Sequence, residues 1–281
     1  MKSVAELLKL GEKILVDASV DNAKNESLWI LESLGVSRRD LIINPSACPC
    51  GDIAATFLTA VAKRAEGVPL QYVIGEWDFY SYTFKVGEGV LIPRPESEML
   101  VDCACEFLKG RKDAVVYDLC AGSGCIGLSI AKQNPDCQVY LVEKSEKAAE
   151  YLSKNISLLE VKNAQLIIGD IFKPEFIDLP CADVLVSNPP YIASGTVSTL
   201  QKEVLHEPVM ALDGGEDGLD FYRAILQGWL SRVKRGGFIA FECGEEQTSA
   251  IARLFPDFCI EVKEHIDIYG QPRMVTAKMK G

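Results

Sequence analysis

Two short stretches of this 281-residue chain carry residue types whose spacing can do chemistry. The first is Asn188-Pro189-Pro190-Tyr191. Its two prolines fix φ and remove two backbone donors, which leaves carbonyl oxygens to accept hydrogen bonds. Asn188 adds a side-chain carbonyl and Tyr191 adds a ring face. Asn188, Pro189 and Tyr191 are therefore the catalytic candidates, and the whole tetrapeptide, Pro190 included, is the candidate pocket for a planar NH₂ group. An amide nitrogen is a feeble nucleophile because its lone pair is delocalised into the carbonyl. Acceptors on its hydrogens favour pyramidalisation and stabilise the charge that develops as it attacks a methyl group, by preorganisation and alignment rather than by a strong base. The plain alternative is a rigid turn that merely ends a strand.

The second stretch is Cys120-Ala121-Gly122-Ser123-Gly124-Cys125-Ile126-Gly127, in which Gly122, Gly124 and Gly127 satisfy G-x-G-x-x-G at a strand-to-helix turn. Glu143 ends the next apolar run, where a carboxylate accepts hydrogen bonds from ribose hydroxyls. Both features suit any adenosine-bearing cofactor, NAD included. Two residues favour S-adenosylmethionine. Asp118, expected in the turn ahead of the glycines, would repel a pyrophosphate and attract an ammonium and a sulfonium. Asp170, in Gly169-Asp170-Ile171-Phe172, can accept from an adenine amino group while Ile171 or Phe172 covers the ring, although capping a helix is its bland reading. A dehydrogenase would need a proton relay, and His206 is the one histidine near the fourth strand of this region.

Elements that position these stretches can be read from periodicity. Residues 1–76 read as helices over 4–16, 26–34 and 53–66, forming a small N-terminal helical domain. Residues 77–95 read as a linking β-hairpin that turns at Gly87-Glu88-Gly89 into Val90-Leu91-Ile92. Arg94 and Glu96 follow it, able to orient the hairpin over a cofactor or to form an interdomain salt bridge. From Ala114, seven short apolar runs alternate with helical segments, among them Ile126–Gln133 and a helix near Leu219–Val233. Near-continuous apolar strands alternating with helices imply a doubly wound, mostly parallel α/β sheet. The last two strands, CIEVKEHI and RMVTAKM, are too close for a crossover and should pair antiparallel. Residues 96–281 thus form the cofactor-binding domain.

Composition narrows the partners. A net charge of −11 argues against gripping duplex nucleic acid, which needs a Lys/Arg surplus on one face, despite Arg38-Arg39 and Arg232–Arg235. The first residues form an amphipathic pattern rather than a signal peptide, and no window is apolar enough to span a membrane, so the expected location is cytoplasmic with no membrane partner. Ten cysteines show no disulfide spacing. Cys48-Pro49-Cys50 is at most half a metal site, so no metal is expected.

The glycine loop together with Asn188-Pro189-Pro190-Tyr191 resembles amino-group methyltransferases acting on adenine, guanine or glutamine. Pro69–Gly75, Leu91-Ile92-Pro93-Arg94-Pro95-Glu96, the stretch from Glu207-Pro208 to Gly218-Leu219, and Glu242–Gln247 narrow the resemblance to the peptide chain release factor glutamine methyltransferases, over residues of about 60 to 275. That resemblance implies the class I S-adenosylmethionine-dependent fold and methylation of the glutamine amide in the Gly-Gly-Gln loop of release factors. It implies that Ala121, Gly122, Ser123, Gly124, Cys125, Glu143 and Ile171 hold S-adenosylmethionine. Asn188 would lie at the reacting amide and Pro189 to Tyr191 would form the substrate pocket, with the N-terminal helices gripping the substrate protein. The family more usually has Gly and Thr where this chain has Cys120, Ala121 and Ser123, a change that keeps the side chains small. Glu207-Pro208 reads as the end of a segment. Nucleic-acid amino methylation is the alternative the tetrapeptide permits.

Overall fold

The computed structural model describes residues 2–49 and 51–281. Its contacts divide into two compact units. One runs through Glu76 and takes in Gln201–His206, and the other comprises Trp77–Leu200 and Glu207–Gly281.

The first unit is helical, with α1 (Val4–Asp17), α2 (Ala23–Ser33), α3 (Arg38–Ile43), α4 (Ile53–Ala65) and α5 (Leu70–Ile74). Ser3 and Glu6 form a reciprocal capping box that starts α1. Leu7 and Leu15 of α1, Ile30 and Leu31 of α2 and Phe57 and Val61 of α4 are all buried. The returning segment is tied in by Arg64, which is buried and pairs with Glu26 at 2.5 Å and with Glu203 at 3.2 Å. Cys50, half of the Cys-Pro-Cys run, lies outside the described residues. Among the described residues, no three His, Cys, Asp or Glu side chains gather as a metal site.

In the second unit the order is β1 (Glu76–Phe79), β2 (Tyr82–Lys85), α6 (Glu98–Leu108), β3 (Val115–Leu119), α7 (Cys125–Gln133), β4 (Gln138–Glu143), α8 (Glu146–Leu158), β5 (Ala164–Ile168), β6 (Ala182–Ser187), α9 (Asp220–Gly228), β7 (Val233–Glu242), α10 (Thr248–Leu254), β8 (Cys259–Ile266) and β9 (Pro272–Met279). Strands β3 to β9 form one sheet in the order β5-β4-β3-β6-β7-β9-β8. Pairing is parallel from β5 to β7 and antiparallel for β7–β9 and β9–β8, as the short final connection requires. Side chains alternate between faces along each strand. Val116, Val139 and Val184 pack with Leu100 of α6 and Leu128 of α7 on one face, while Tyr117, Leu185 and Phe241 pack with Tyr222 and Ile225 of α9 on the other.

Two elements differ from the sequence expectation. The hairpin turns at Tyr80-Ser81 rather than at Gly87-Glu88-Gly89, because Tyr80 takes a left-handed φ of 58° that closes β1 onto β2. Val90-Leu91-Ile92 is therefore not a strand, although Val90 and Ile92 are buried. The helix expected over Leu219–Val233 stops at Gly228, and β7 begins already at Val233.

Trp229 anchors the α9 face. Its ring is fully buried, edge-on to Tyr117 at 5.7 Å, and its indole N–H donates to the Ile171 carbonyl at 2.9 Å. Replacing Trp229 with Ala should lower stability by about 3–5 kcal/mol through the cavity left behind. Urea denaturation measures this, and a loss below about 1 kcal/mol would contradict the anchoring described.

Candidate functional site

A cavity opens at the carboxyl ends of β3, β4, β5 and β6, on the side where the strand order reverses. Its wall takes in Ala121, Gly122, Ser123 and Cys125 of the glycine loop, Glu143, Asp170-Ile171-Phe172, and Asn188 with Pro190. Sequence-distant candidates thus converge on one space because parallel strands bring all their ends to one edge.

The loop owes its shape to what lies beneath it. Asp118 is not in the turn. It sits within β3, fully buried, and is absent from the cavity wall. One carboxyl oxygen accepts from the Gly127 N–H at 2.8 Å, and the other is buried with no partner among the described residues. A Cβ on Gly127 would come within 2.8 Å of both the Asp118 carboxyl oxygen and Leu141, so only glycine lets α7 pack this closely on the sheet. Burial pushes the Asp118 carboxyl up to about 7 against the Gly127 hydrogen bond, and the nearby Glu143 charge adds to the rise.

Glu143 faces the cavity while accepting from the Gly122 N–H at 2.8 Å and the Ser145 N–H at 2.7 Å. Burial raises its pKa, and these hydrogen bonds resist the shift. Asp170 accepts from the Phe172 N–H at 3.0 Å and pairs with Lys144 at 2.9 Å. Partial burial opposes its ionisation, but Lys144 and the Phe172 amide outweigh it and the pKa is lowered. Phe172 stands edge-on to Phe221 at 4.9 Å. The donor set thus offers a carboxylate for a diol, an anionic acceptor, backbone amides and apolar walls, which matches an adenosine-bearing cation such as S-adenosylmethionine.

At the end of β6, the Asn188 NH₂ donates to the Ser97 hydroxyl oxygen at 3.1 Å, and the Ser97 hydroxyl donates to Glu242 at 2.5 Å. The Asn188 carbonyl oxygen is buried and has no partner among the described residues. It is a ready acceptor. Tyr191 behaves differently from the expectation. Its carbonyl is already taken by the Gln247 amide at 2.9 Å, and its ring packs with the core beside β7, outside the cavity wall. Gln247 also accepts from the Gly244 N–H at 3.0 Å. A Cβ on Gly218 would come within 2.3 Å of the Tyr191 carbonyl, so the Gly214–Gly218 turn closes directly against the tetrapeptide. Ile192 fastens the two stretches, donating its N–H to the Leu212 carbonyl at 2.9 Å and accepting from the Gly214 N–H at 2.8 Å.

The Arg94 guanidinium pairs with Glu207, and Glu207 also accepts from the Ile92 N–H at 3.0 Å. Arg94 is therefore not an interdomain bridge, since both partners lie in one unit, and Glu207 does more than end a segment. It fastens Ile92 and Arg94 along the cavity wall. Sequence reasoning missed the roles of four further residues, although Glu242 and Gln247 delimit one of the stretches that carry the resemblance. Ser97 and Glu242 hold Asn188, Gln247 holds Tyr191, and the buried Asn155 ties the Ser123 carbonyl to the Lys85 backbone. An uncharged or acidic residue inside an apolar run, as at Asn155 and Glu242, is the one local signal that marks any of them.

A seven-stranded sheet of this order, with a glycine loop after β3 and an acid ending β4, defines a class I S-adenosylmethionine-dependent methyltransferase. A 16S rRNA N2 G1207 methyltransferase from T. thermophilus, solved with AdoMet and guanosine, shares the fold at a TM-score of 0.52 and 20% identity, over 71% of this chain and 47% of its own. The Methyltransferase small domain model matches residues 96–216, and the PrmC N-terminal domain model matches residues 6–75. The Release factor glutamine methyltransferase of Aquifex aeolicus is 31% identical over 99% of both chains, and that of Thermodesulfovibrio yellowstonii is 42% identical over 72% of both. The chain belongs to the release factor glutamine methyltransferase family. No helix among the described residues is long and apolar enough to cross a membrane.

Burial likewise pushes the Glu242 carboxyl up to about 7, against the Ser97 hydrogen bond, with the Glu96 charge raising it further and Arg273 and Asn188 opposing. A raised carboxyl pKa means the folded state holds the proton more tightly than the unfolded chain. The associated stability is present at pH values below 4.5, the ordinary Glu value, and is lost as pH rises through about 7. Thermal melting of the parent protein should therefore fall more steeply from about pH 5 to about pH 8 than that of Glu242→Gln. Parallel profiles for the two would refute the raised pKa.

Proposed function

We propose that this chain transfers a methyl group from S-adenosylmethionine to the side-chain amide nitrogen of the glutamine in the Gly-Gly-Gln loop of peptide chain release factors, in the cytoplasm. The names of its relatives support the substrate. The observation that carries the chemistry is the buried, unpartnered Asn188 carbonyl oxygen at the cavity wall.

When bound, S-adenosylmethionine supplies a methyl group activated by its sulfonium. The Ala121–Cys125 loop, Glu143, Asp170 and Ile171 would hold it, with Glu143 suited to ribose hydroxyls and Ile171 to the adenine face. Asp118 serves from beneath by holding Gly127 and so the loop. Asn188 accepts one hydrogen of the glutamine amide, and the carbonyl of Pro189 accepts the other. The two acceptors aim the nitrogen and favour its pyramidal, lone-pair-bearing form. As the nitrogen–methyl bond forms, the methyl–sulfur bond breaks with its electron pair left on sulfur, and one hydrogen leaves the nitrogen as a proton to water. Pro190 walls the pocket, and Tyr191 steadies the tetrapeptide through its packing and its bond from Gln247.

In this reading residues 1–76 grip the release factor, residues 77–95 link that unit to the methyltransferase domain of residues 96–281, and nucleic acid is not a substrate. The net charge of −11 supports the last point, because phosphate binding draws on clustered Lys and Arg.

Mass spectrometry of a release factor and of stripped tRNA and rRNA, each incubated with enzyme and cofactor, tests the assignment. One added methyl on the Gly-Gly-Gln glutamine is expected, and methyl found only in RNA would overturn it. Asn188→Ala should lower kcat by at least about a hundredfold while S-adenosylhomocysteine binds within about threefold of its original affinity. Near-normal turnover in that variant would remove Asn188 from the mechanism.

A further inference from the structure

We propose that Ser97 and Glu242 are positioning residues for methyl transfer, forming a one-way hydrogen-bond chain that locks the Asn188 side-chain amide with its oxygen toward the substrate. The inference rests on the glutamine-amide reading above and adds two residues to it.

A side-chain amide presents an oxygen on one side and an NH₂ on the other, and a half-turn about its last torsion exchanges them. The terminal torsion of asparagine is broad and two-fold, so the bond itself does not select a face. The wrong face would set the Asn188 NH₂ against the substrate NH₂, donor against donor, and catalysis would fail. Something outside the residue must choose.

The choice starts at Glu242. An ionised carboxylate only accepts, and Glu242 lies at the end of β7 with 3% of its surface exposed. The hydroxyl of Ser97, 2% exposed in the turn that leads into α6, is 2.5 Å from it and has one hydrogen to give. With that hydrogen committed, the Ser97 oxygen is an acceptor for its other neighbour. The neighbour at 3.1 Å is the Asn188 amide, which must therefore offer its NH₂. The Asn188 oxygen is left buried and without a partner among the described residues, on a residue that lines the cavity. Each link has a fixed direction once Glu242 is ionised and has no hydrogen to give, the state it holds above about pH 7. Charge-assisted bonds of this kind are the strong ones, and a low dielectric strengthens them further.

Ser97, Asn188 and Glu242 come from three elements, 91 and 145 residues apart across the two bonds. The lock thus depends on the fold rather than on a local motif. Threonine at position 97 keeps the hydroxyl and hence the chain, whereas alanine removes the Ser97 link and leaves the Asn188 amide only its direct attraction to Glu242.

Two measurements test the proposal together. In steady-state assays with a Gly-Gly-Gln peptide, Ser97→Ala should lower kcat by about tenfold or more with KM and S-adenosylhomocysteine affinity within about threefold, and Ser97→Thr should restore most of kcat. Independently of any substrate, the Asn188 side-chain amide resonance, assigned through its loss in Asn188→Ala, should exchange hydrogen slowly in the parent protein and in Ser97→Thr. It should exchange fast in Ser97→Ala. Glu242→Gln should speed that exchange as well. A parent protein that leaves the peptide unmethylated yet shows the protected amide would sink the substrate reading and support the lock. Amide protection unchanged by Ser97→Ala would overturn the lock, as would a kcat within about twofold of the parent in that variant.

Discussion

A hydrogen bond inside the sheet, from the Gly127 amide to the carboxyl of Asp118, governs where α7 begins and therefore how the glycine loop is drawn. Helix α7 must start close to β3 if its first amides and the loop before it are to face a ligand at the strand ends. Proximity of that order needs a glycine at position 127 and a buried acceptor at position 118, and each is of little use without the other. Leaving a carboxyl in a fully apolar setting opposes folding when it is charged. The molecule accepts that cost at Asp118 and again at Glu242, both set next to the cavity rather than spread through the core. Strain of this sort concentrates where a fold serves something other than its own stability.

The carboxyl edge of the sheet organises everything else. Glu143 ends one strand, Asp170 and Asn188 follow two others, and none approaches another in sequence. Around them, Asn155 from α8, Gln247 ahead of α10 and Glu207 from the long connection after β6 each fasten backbone that would otherwise be a free loop. Irregular segments at this edge are thus held by side-chain hydrogen bonds to their backbone. That is how loops hold a constellation of groups in fixed geometry.

Much of this was legible in the residues and some was not. Apolar runs alternating with helical periodicity reveal the parallel sheet, because buried strands must be apolar on both faces. The two closing strands reveal their antiparallel pairing through the shortness of Asp267–Pro272. Asn188 and Glu143 can be picked out because turn chemistry and position after a strand are local facts. The hairpin turn escapes the sequence since Tyr80 adopts a left-handed backbone that its residue type does not advertise, while the glycine-flanked Glu88 nearby suggests a turn of its own. Asp118 was set in the turn because strand ends cannot be read to a single residue, and that residue separates a cavity wall from a buried strut. The bond between Ser97 and Glu242 left no trace, as a pairing of residues 145 apart has no periodicity.

The return of Gln201–His206 to the helical unit gives the chain an interleaved architecture rather than a serial one. After the tetrapeptide, the polypeptide leaves one unit, is clasped by Arg64 through Glu203, and re-enters at Glu207, which seats itself against Ile92 and Arg94. Such a chain is not a string of separable beads. Excising the helices at residue 76 would strand a strap whose far end helps build the cavity wall, so recombination that exchanges the front of the gene must carry a compatible strap with it.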